Sequence, residues 1–350
     1  MKAAIKTAEG TFEVKEVDKP TVPRPDWVLA RIKVAGICGT DLRHWKVHNH
    51  NLEGKIMGHE MAGEVVEVGE AVTNVKKGDR VVIETLIGDG TCEWCKAKQY
   101  NLCPHLYEVR MRTLSQAFAE YVAGPWDKFY KLPDHVSYEE ATLLDTFSVS
   151  LHGIHLSGIK IGDKIAIIGA GPIGLSTLQL AKHYGADVLV ADIAHYPLEV
   201  AKELGADVVV NTAEEDGLAR LKAFTGDRGA DITFECAGGE SMSKTLPQAV
   251  SFTRIGGRVV VVGGFDEGPL SIPLDWQHMQ KSEIQLLLSA SYAQWGTKPE
   301  MQMSLDLLAQ GKINAKRLIT QSFPLDQINQ AFETAADKDK NKSIFVGITI

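Results

Sequence analysis

Residues 165–192 read IAIIGAGPIGLSTLQLAKHYGADVLVAD, and this stretch decides the fold class. An apolar run leads into a glycine-rich turn, a helix-like segment, a second apolar run and an acid. Gly169, Gly171 and Gly174 follow the spacing G-x-G-x-x-G, in which the first glycine permits a tight turn and the third lets a helix pack closely on its strand. The stretch therefore predicts a strand–helix–strand unit of an α/β protein.

The same turn predicts a dinucleotide site. Gly171 would let the backbone approach a pyrophosphate, and the helix with Pro172 and Ile173 in its first turn would offer N–H groups and the positive end of its dipole. Asp192, 18 residues after the last glycine, would accept hydrogen bonds from ribose hydroxyls. That carboxylate would repel a 2′-phosphate, and residues 193–196 contain no lysine or arginine, so NAD is favoured over NADP. The alternative is a glycine-rich turn of another α/β protein, but the strand-like run before the turn, the helix-like run after it and the acid at the end of the next strand favour the dinucleotide site.

Length, charge and cysteine usage bound the class of protein. The 350 residues are enough for two domains, and the net charge of −8 argues against broad binding to nucleic acid or an anionic membrane. The N-terminus lacks the apolar core of a signal peptide, and no run of about 18 apolar residues predicts a membrane span. Three of the five cysteines lie between Cys92 and Cys103, which indicates metal binding in a reducing compartment. We therefore expect a cytoplasmic protein.

The first third of the chain differs in pattern from the middle. Up to about Asp89, short alternating strands with glycines at the bends suggest a partly open β-barrel. Between Lys164 and Leu288, six apolar runs alternate with helix-like segments, which predicts a doubly wound parallel sheet with its ligand at the carboxyl ends of the strands. The chain is thus expected to be an α/β protein with a second, β-rich domain.

Two groups in the β-rich part carry metal-ligand chemistry. Taken alone, Cys38 suits a buried small side chain and His59 a structural histidine. A thiolate, an imidazole and a carboxylate such as Glu60 together make the ligand set of a catalytic zinc with one open position, although spacing alone does not show that they converge. The second group is a cluster with the pattern Cys92-x2-Cys95-x7-Cys103, preceded by Asp89.

These motifs together resemble the zinc-containing medium-chain dehydrogenase/reductase family, closest to its polyol and threonine dehydrogenase branches. The segment GHEMAGEVVEVGEAV (58–72) matches the zinc signature of that family. CGTD (38–41) precedes it and the glycine turn comes after it, which is the order found in the family. The resemblance implies a discontinuous, GroES-like catalytic domain at 1–150 and 291–350, and an NAD-binding Rossmann domain at 151–290.

The resemblance also implies roles for the residues of a catalytic zinc site. Cys38 and His59 would be ligands, and Glu60 a ligand or an exchangeable neighbour. Thr40 would take the substrate proton. Asp145 stands where the alcohol branch has a cysteine and the polyol and threonine dehydrogenase branches have a glutamate. It would contact zinc directly, through water, or only when Glu60 moves away.

Two positions depart from the family pattern. Asp89 replaces the first of four cysteines, so the lobe would hold a structural zinc with Asp89, Cys92, Cys95 and Cys103, or would have lost its metal. A histidine often follows the first zinc-ligand cysteine by five residues, and here that residue is an arginine, which cannot pass protons. Either the adjacent His44 relays the proton of Thr40, or the proton leaves through the cofactor ribose and water. His44 could instead line the pocket.

The expected activity is therefore zinc-dependent transfer of hydride from a secondary alcohol of a polyol, sugar or cyclitol to NAD, giving a ketone. The first alternative is an L-threonine or other amino-alcohol dehydrogenase, since both branches share these motifs. The second is a zinc-less nucleotide-binding protein on the same scaffold. The expected partners are a small hydroxylated substrate and further copies of the chain, a tetramer before a dimer by analogy with the family.

Overall fold

The computed structural model describes residues 1–47, 52–114, 116–264 and 269–350, apart from the side chains of 110–112. The chain divides into two compact units. The first comprises Met1–Asp145, Tyr292–Asp337 and Ser343–Ile350, and the second Thr146–Ser291 and Lys338–Lys342. The main divisions thus lie five residues before and one residue after the expected ones at 150/151 and 290/291.

The elements of the described residues are numbered in chain order. The strands are β1 (Lys2–Ala8), β2 (Thr11–Glu16), β3 (Trp27–Gly36), β4 (Glu60–Val68), β5 (Arg80–Ile83), β6 (Tyr121–Pro125), β7 (Phe129–Lys131), β8 (Lys164–Ile168), β9 (Asp187–Asp192), β10 (Val208–Asn211), β11 (Ala230–Glu235), β12 (Thr253–Val261), β13 (Gln285–Leu288), β14 (Gln294–Trp295), β15 (Lys298–Pro299), β16 (Ile319–Pro324) and β17 (Phe345–Thr349). The helices are α1 (Gly39–Lys46), α2 (Glu93–Lys96), α3 (Leu106–Thr113), α4 (Tyr138–Thr142), α5 (Leu144–Ser157), α6 (Pro172–His183), α7 (His195–Glu203), α8 (Gly217–Thr225), α9 (Met242–Phe252), α10 (Trp276–Lys281), α11 (Glu300–Ala309), α12 (Ile328–Ala336) and α13 (Lys338–Asn341).

The second unit is built on a parallel sheet. Its described strands follow the order β10-β9-β8-β11-β12-β13, all in parallel register. The chain runs outward from β8 in one direction and then from β11 in the other, so the order reverses between these two strands. Such a switch point opens a crevice at the carboxyl ends of the strands, where doubly wound sheets bind ligands. The predicted doubly wound sheet is confirmed.

Burial explains why these residues form strands. Ile165, Ala166 and Ile167 of β8 are completely buried, and so are the four central residues of β9. A parallel strand with helices on both faces has no solvent side, so it needs a continuous apolar run rather than an alternating one. Each fully buried isoleucine contributes about 1.5–3 kcal/mol relative to an exposed one.

The first unit contains a mainly antiparallel sheet. Among the described residues its order is β16-β17-β3-β4-β5-β7, with β6 also paired to β3. Strand β17, near the C-terminus, belongs to this sheet and pairs with β3, with Gly347 opposite Gly36. In the core of this unit, the centroids of the Phe12, Phe118 and Phe332 rings lie 4.8–6.2 Å apart. No helix in the described ranges is both long and apolar enough to cross a membrane.

Candidate active site and metal centres

A pair of neighbouring strands brings three metal-ligand residues together. In the antiparallel pairing of β3 with β4, Gly36 lies opposite Glu60, so the residues that follow β3 meet those that open β4. The donor atoms of Cys38, His59 and Glu60 all lie within 4.8 Å of one another. A side chain at Gly36 would come within 2.6 Å of Glu60 Oε2, which explains the glycine there.

Asp41 contacts two members of this group, His59 and Cys38. Asp41 Oδ1 lies 3.5 Å from His59 Nδ1, and Asp41 Oδ2 accepts a hydrogen bond from the backbone N–H of Cys38 at 3.0 Å. A carboxylate at Nδ1 fixes the imidazole tautomer and directs Nε2 toward a metal. Asp41 is itself buried in the first turn of α1.

The chemistry of the donor set fits a zinc ion. Burial raises the pKa of the Cys38 thiol, and the neighbouring Glu60 carboxylate raises it further. Without a cation this thiol is protonated beside the carboxylate, whereas a cation among the three donors would favour the thiolate. One sulfur, one imidazole nitrogen and one carboxylate oxygen form a known kind of three-residue zinc site.

Asp145, the fourth residue predicted for this site, has a partner of its own. It is buried in the first turn of α5, and the three-residue group within 4.8 Å does not include it. The hydroxyl of Tyr292, a fully buried residue, donates a hydrogen bond to Asp145 Oδ1 at 2.5 Å. Sequence reasoning missed Tyr292 because it is 147 residues away and no local pattern connects the two.

The hydroxyl predicted to take the substrate proton is held by the arginine that replaces the usual histidine. Arg43 Nη2 donates a hydrogen bond to Thr40 Oγ1 at 3.0 Å, one turn away on α1. Arginine keeps its proton at all physiological pH values, so Arg43 can orient the hydroxyl but cannot relay its proton. His44 is the next residue on α1 and is half-buried.

A second group of four residues forms the lobe predicted to hold a structural metal. The donor atoms of Asp89, Cys92, Cys95 and Cys103 lie within 4.8 Å of one another. Burial raises the pKa of Cys95 to about 12, and the neighbouring thiols of Cys92 and Cys103 add to the effect. Three thiols and a carboxylate at this separation fit a closed, four-ligand zinc site.

The carboxylate of this lobe is fixed on both sides. Asp89 Oδ1 accepts hydrogen bonds from the backbone N–H groups of Thr91 and Cys92, at 2.8 and 3.0 Å. Its Oδ2 lies 2.7 Å from His105 Nδ1. These contacts hold the pKa of Asp89 far below its usual range, so the group is an anion. Sequence reasoning missed His105, although a histidine two residues after the last cysteine was a visible signal.

The glycine turn of the second unit has the shape of a dinucleotide cradle. Gly169 has φ +99°, and a Cβ there would lie 2.8 Å from the backbone nitrogen of Ala237. A Cβ on Gly174 would lie 1.8 Å from Gly169 O, so only glycine lets α6 pack this closely. Gly171 is the N-cap of α6, with Pro172 in the first turn. Because these three glycine positions carry no side chain, a pyrophosphate can approach the backbone at the N-terminus of α6.

Asp192 ends β9 and is bound to backbone on both oxygens. Its Oδ1 accepts hydrogen bonds from Ile193 and Ala194 at 2.7 and 2.9 Å, and its Oδ2 accepts one from Ala170 in the glycine turn at 2.5 Å. The carboxylate therefore fixes the turn in addition to any contact with a ribose.

Glu235 plays a similar part on the other side of the crevice, and sequence reasoning missed it. Its Oε1 accepts hydrogen bonds from Ala237 and Gly238 and from the hydroxyl of Thr245. Burial raises the pKa of this carboxyl. A Cβ on Gly263 would lie 2.6 Å from its Oε2, so the loop after β12 packs directly on it.

Comparison with known proteins identifies the family. The model described as alcohol dehydrogenase GroES-like domain matches residues 24–134, and the model described as zinc-binding dehydrogenase matches residues 172–310. The sorbitol dehydrogenase of Bacillus subtilis is 36% identical over 346 residues, covering 96% of this chain and 93% of that protein. The chain belongs to the zinc-dependent alcohol dehydrogenase family. The predicted family is thus confirmed, as is the combination of a GroES-like and a Rossmann domain.

Two further members of the family match along nearly their whole lengths. The D-arabitol-phosphate dehydrogenase of Enterococcus avium is 34% identical over 350 residues, covering 98% of this chain and 96% of that one. The crystal structure of an Escherichia coli oxidoreductase/dehydrogenase of unknown specificity has a TM-score of 0.89 at 32% identity, covering 100% and 99% of the two chains. This family member is accordingly an oxidoreductase that uses zinc, a nicotinamide cofactor and a small hydroxylated substrate.

Proposed function

We propose that the protein oxidises a secondary alcohol of a polyol, sugar or cyclitol to a ketone, with NAD as the hydride acceptor. The observation that carries the proposal is the convergence of Cys38, His59 and Glu60 within 4.8 Å, with Asp41 behind them. The sorbitol and D-arabitol-phosphate dehydrogenases among its relatives support the substrate class.

The side chains of this cluster and of α1 have three roles, which are to bind the metal, to accept a proton and to orient the proton acceptor. Cys38, His59 and Glu60 would hold the metal, which when bound supplies a Lewis acid that lowers the pKa of an alcohol. Thr40 accepts the proton of the substrate hydroxyl. Arg43, donating to Thr40 Oγ1 at 3.0 Å, orients that hydroxyl and favours negative charge on its oxygen.

The proton needs an exit from Thr40, since Arg43 cannot pass it on. His44, the next residue along α1, is our candidate relay, and the cofactor ribose with water is the alternative. The two routes differ in their dependence on pH: an imidazole relay titrates near neutrality, whereas a ribose and water relay does not. A flat turnover profile between pH 6 and 8 in His44→Gln, against a sloping wild-type profile, would support the histidine.

We assign NAD rather than NADP to the second unit. The nicotinamide supplies a carbon that accepts hydride. The pyrophosphate would bind to the backbone of the glycine turn and to the N-terminus of α6, at Gly169, Gly171, Pro172, Ile173 and Gly174. Asp192 would bind the ribose, and its negative charge beside the 2′ position opposes a phosphate there.

We further propose two zinc ions per subunit, the second held by Asp89, Cys92, Cys95 and Cys103. Asp145 would contact the first zinc directly, through a water molecule, or only when Glu60 moves away. None of the five cysteines forms a disulfide, which suits the reducing cytoplasm.

A homo-oligomer, with a tetramer ranked before a dimer, is part of the proposal. Strand β13 lies at the edge of the parallel sheet, and Leu288 of β13 and Trp276 of the preceding helix α10 are each 71% exposed. Exposed edge strands with apolar side chains tend to pair, and a second copy would present the same edge. Light scattering of the purified protein gives the subunit number, and Leu288→Lys is expected to lower it.

Turnover of a substrate panel, together with zinc counted per subunit, tests the proposed activity. We expect NADH formation with polyols or cyclitols and two zinc ions per subunit. Cys38→Ser is expected to lose turnover and one zinc while NADH binding survives. The matched control is Cys236→Ser, which changes a buried cysteine outside both clusters and should retain both zinc ions. Activity on L-threonine alone would overturn the substrate class. Protein without zinc, purified without chelator, would favour a nucleotide-binding protein instead.

A further inference from the structure

We propose that Lys338 binds the pyrophosphate of the cofactor, which makes α13 part of the nucleotide site. This inference rests on the proposed NAD site and extends it to a residue far from the glycine motif in sequence. Helix α13 belongs to the second unit, although the chain immediately before and after residues 338–342 belongs to the first. The chain therefore leaves one unit for five residues and enters the other.

The position of the ammonium group carries the proposal. A Cβ built on Gly171 would lie 2.9 Å from Lys338 Nζ, so the ammonium lies against the backbone of the N-cap residue of α6. That is the point at which the missing side chain lets a pyrophosphate approach the chain. Lys338 is half-buried, so water surrounds its side chain only in part.

A second contact anchors the same helix at the adenosine side of the crevice. The backbone N–H of Tyr196, in the first turn of α7, donates a hydrogen bond to Asp339 Oδ1 at 3.3 Å. Helix α7 begins three residues after Asp192, the residue assigned to the ribose. Two neighbouring side chains of α13 thus reach two parts of the site, one at the phosphate turn and one beside the ribose acid.

Charge explains why a cation is needed at this point. Residues 169–174 contain no basic side chain, so the turn itself offers only N–H groups and the helix dipole, equivalent to about half a charge. Asp192, bonded to the same turn through Ala170, adds a negative charge. Without Lys338, the positive charge at this turn would therefore be too small to neutralise the two negative charges of a pyrophosphate. An ammonium is a common partner for phosphate oxygens.

Binding measurements on a small set of variants and ligands test this role. Fluorescence gives the NADH dissociation constant for the wild type, Lys338→Gln, Lys338→Arg and the control Lys340→Gln, which removes an exposed lysine of the same helix. ADP-ribose and adenosine are then compared by displacement of NADH. ADP-ribose contains the pyrophosphate, and adenosine lacks it.

We expect Lys338→Gln to weaken NADH and ADP-ribose by roughly tenfold, the lower end of what one charge-assisted hydrogen bond provides. Adenosine should bind the variant as it binds the wild type, Lys338→Arg should restore most of the affinity, and Lys340→Gln should change nothing. The NADH affinity of Lys338→Gln should also depend less on salt than that of the wild type.

Two results would overturn the assignment. One is unchanged NADH binding in Lys338→Gln. The other is equal weakening of adenosine and ADP-ribose, which would mean that the lysine only supports the local fold. Either failure is distinguishable from a failure of the proposed activity, which would appear as wild-type protein that binds NADH but oxidises no polyol. Wild-type protein that binds no NADH would overturn both.

Discussion

Replacing Tyr292 by phenylalanine tests how Asp145 takes part in the metal site. The change deletes one oxygen and keeps the ring, so the packing of this fully buried side chain stays nearly intact. The deleted hydroxyl is the donor that lies 2.5 Å from Asp145 Oδ1. Without it, a buried carboxylate loses a partner that fixes its direction.

The size of the effect follows from that one contact. A hydrogen bond to a charged group contributes about 1.5–3 kcal/mol. At about 1.4 kcal/mol for each factor of ten, this corresponds to a zinc affinity roughly ten to a hundred times weaker, if Asp145 completes the ligand set. Removal of residues that orient metal ligands commonly costs the same 10–100-fold.

Zinc retained per subunit at rising chelator concentration measures the effect. We expect two release steps, one for each cluster, and in Tyr292→Phe only the step of the Cys38 cluster should move to lower chelator. The matched control is Tyr130→Phe, which removes a hydroxyl that donates to buried Glu84 Oε2 at 2.6 Å. If both variants release zinc as the wild type does, Asp145 is no part of the zinc site and the reasoning is refuted.

Three further predictions concern the other cluster and the nucleotide turn. His105→Ala removes the partner 2.7 Å from Asp89 Oδ2, so the release step of the four-residue lobe should move to lower chelator while turnover at saturating zinc persists; an unmoved step would contradict it. Asp192→Ala removes the acceptor of three backbone N–H groups. Fluorescence titration should show that the affinity for NADH falls at least tenfold and that the preference for NADH over NADPH diminishes. An unchanged ratio of these two affinities would refute the assignment of Asp192 to the ribose. Gly174→Ala places a methyl 1.8 Å from Gly169 O, which should cost about 1–3 kcal/mol in denaturant unfolding, and equal stability would show that α6 can shift freely.

The fold was predictable because buried parallel strands are continuous apolar runs. Strand β8 (Lys164–Ile168) coincides with the apolar run that predicts it, whereas β12 begins at Thr253, several residues before its continuous apolar run at 259–261. Of its early residues, Ile255 and Gly256 are exposed, and the glycines at 256 and 257 interrupt the apolar pattern. Periodicity therefore finds the buried part of a strand and misses its solvent-exposed start.

The candidate site was predictable only in part. Cys38 and His59 come together through the register of β3 with β4, which no single stretch of sequence encodes, and the family motif supplied the link instead. Tyr292 and Lys338 are placed by tertiary structure, and neither lies near a motif. The ligand roles of Asp145 and of the four-residue lobe remain predictions.

Reversible zinc removal tests the proposed function most directly. The rate of NAD reduction by a polyol such as sorbitol is measured before chelation, after chelation and after zinc is restored, with NADH binding followed in the same samples. We predict that turnover disappears with the zinc bound to Cys38, His59 and Glu60 and returns with it, while NADH binding persists throughout. Undiminished turnover in protein that metal analysis shows to be free of zinc would contradict this.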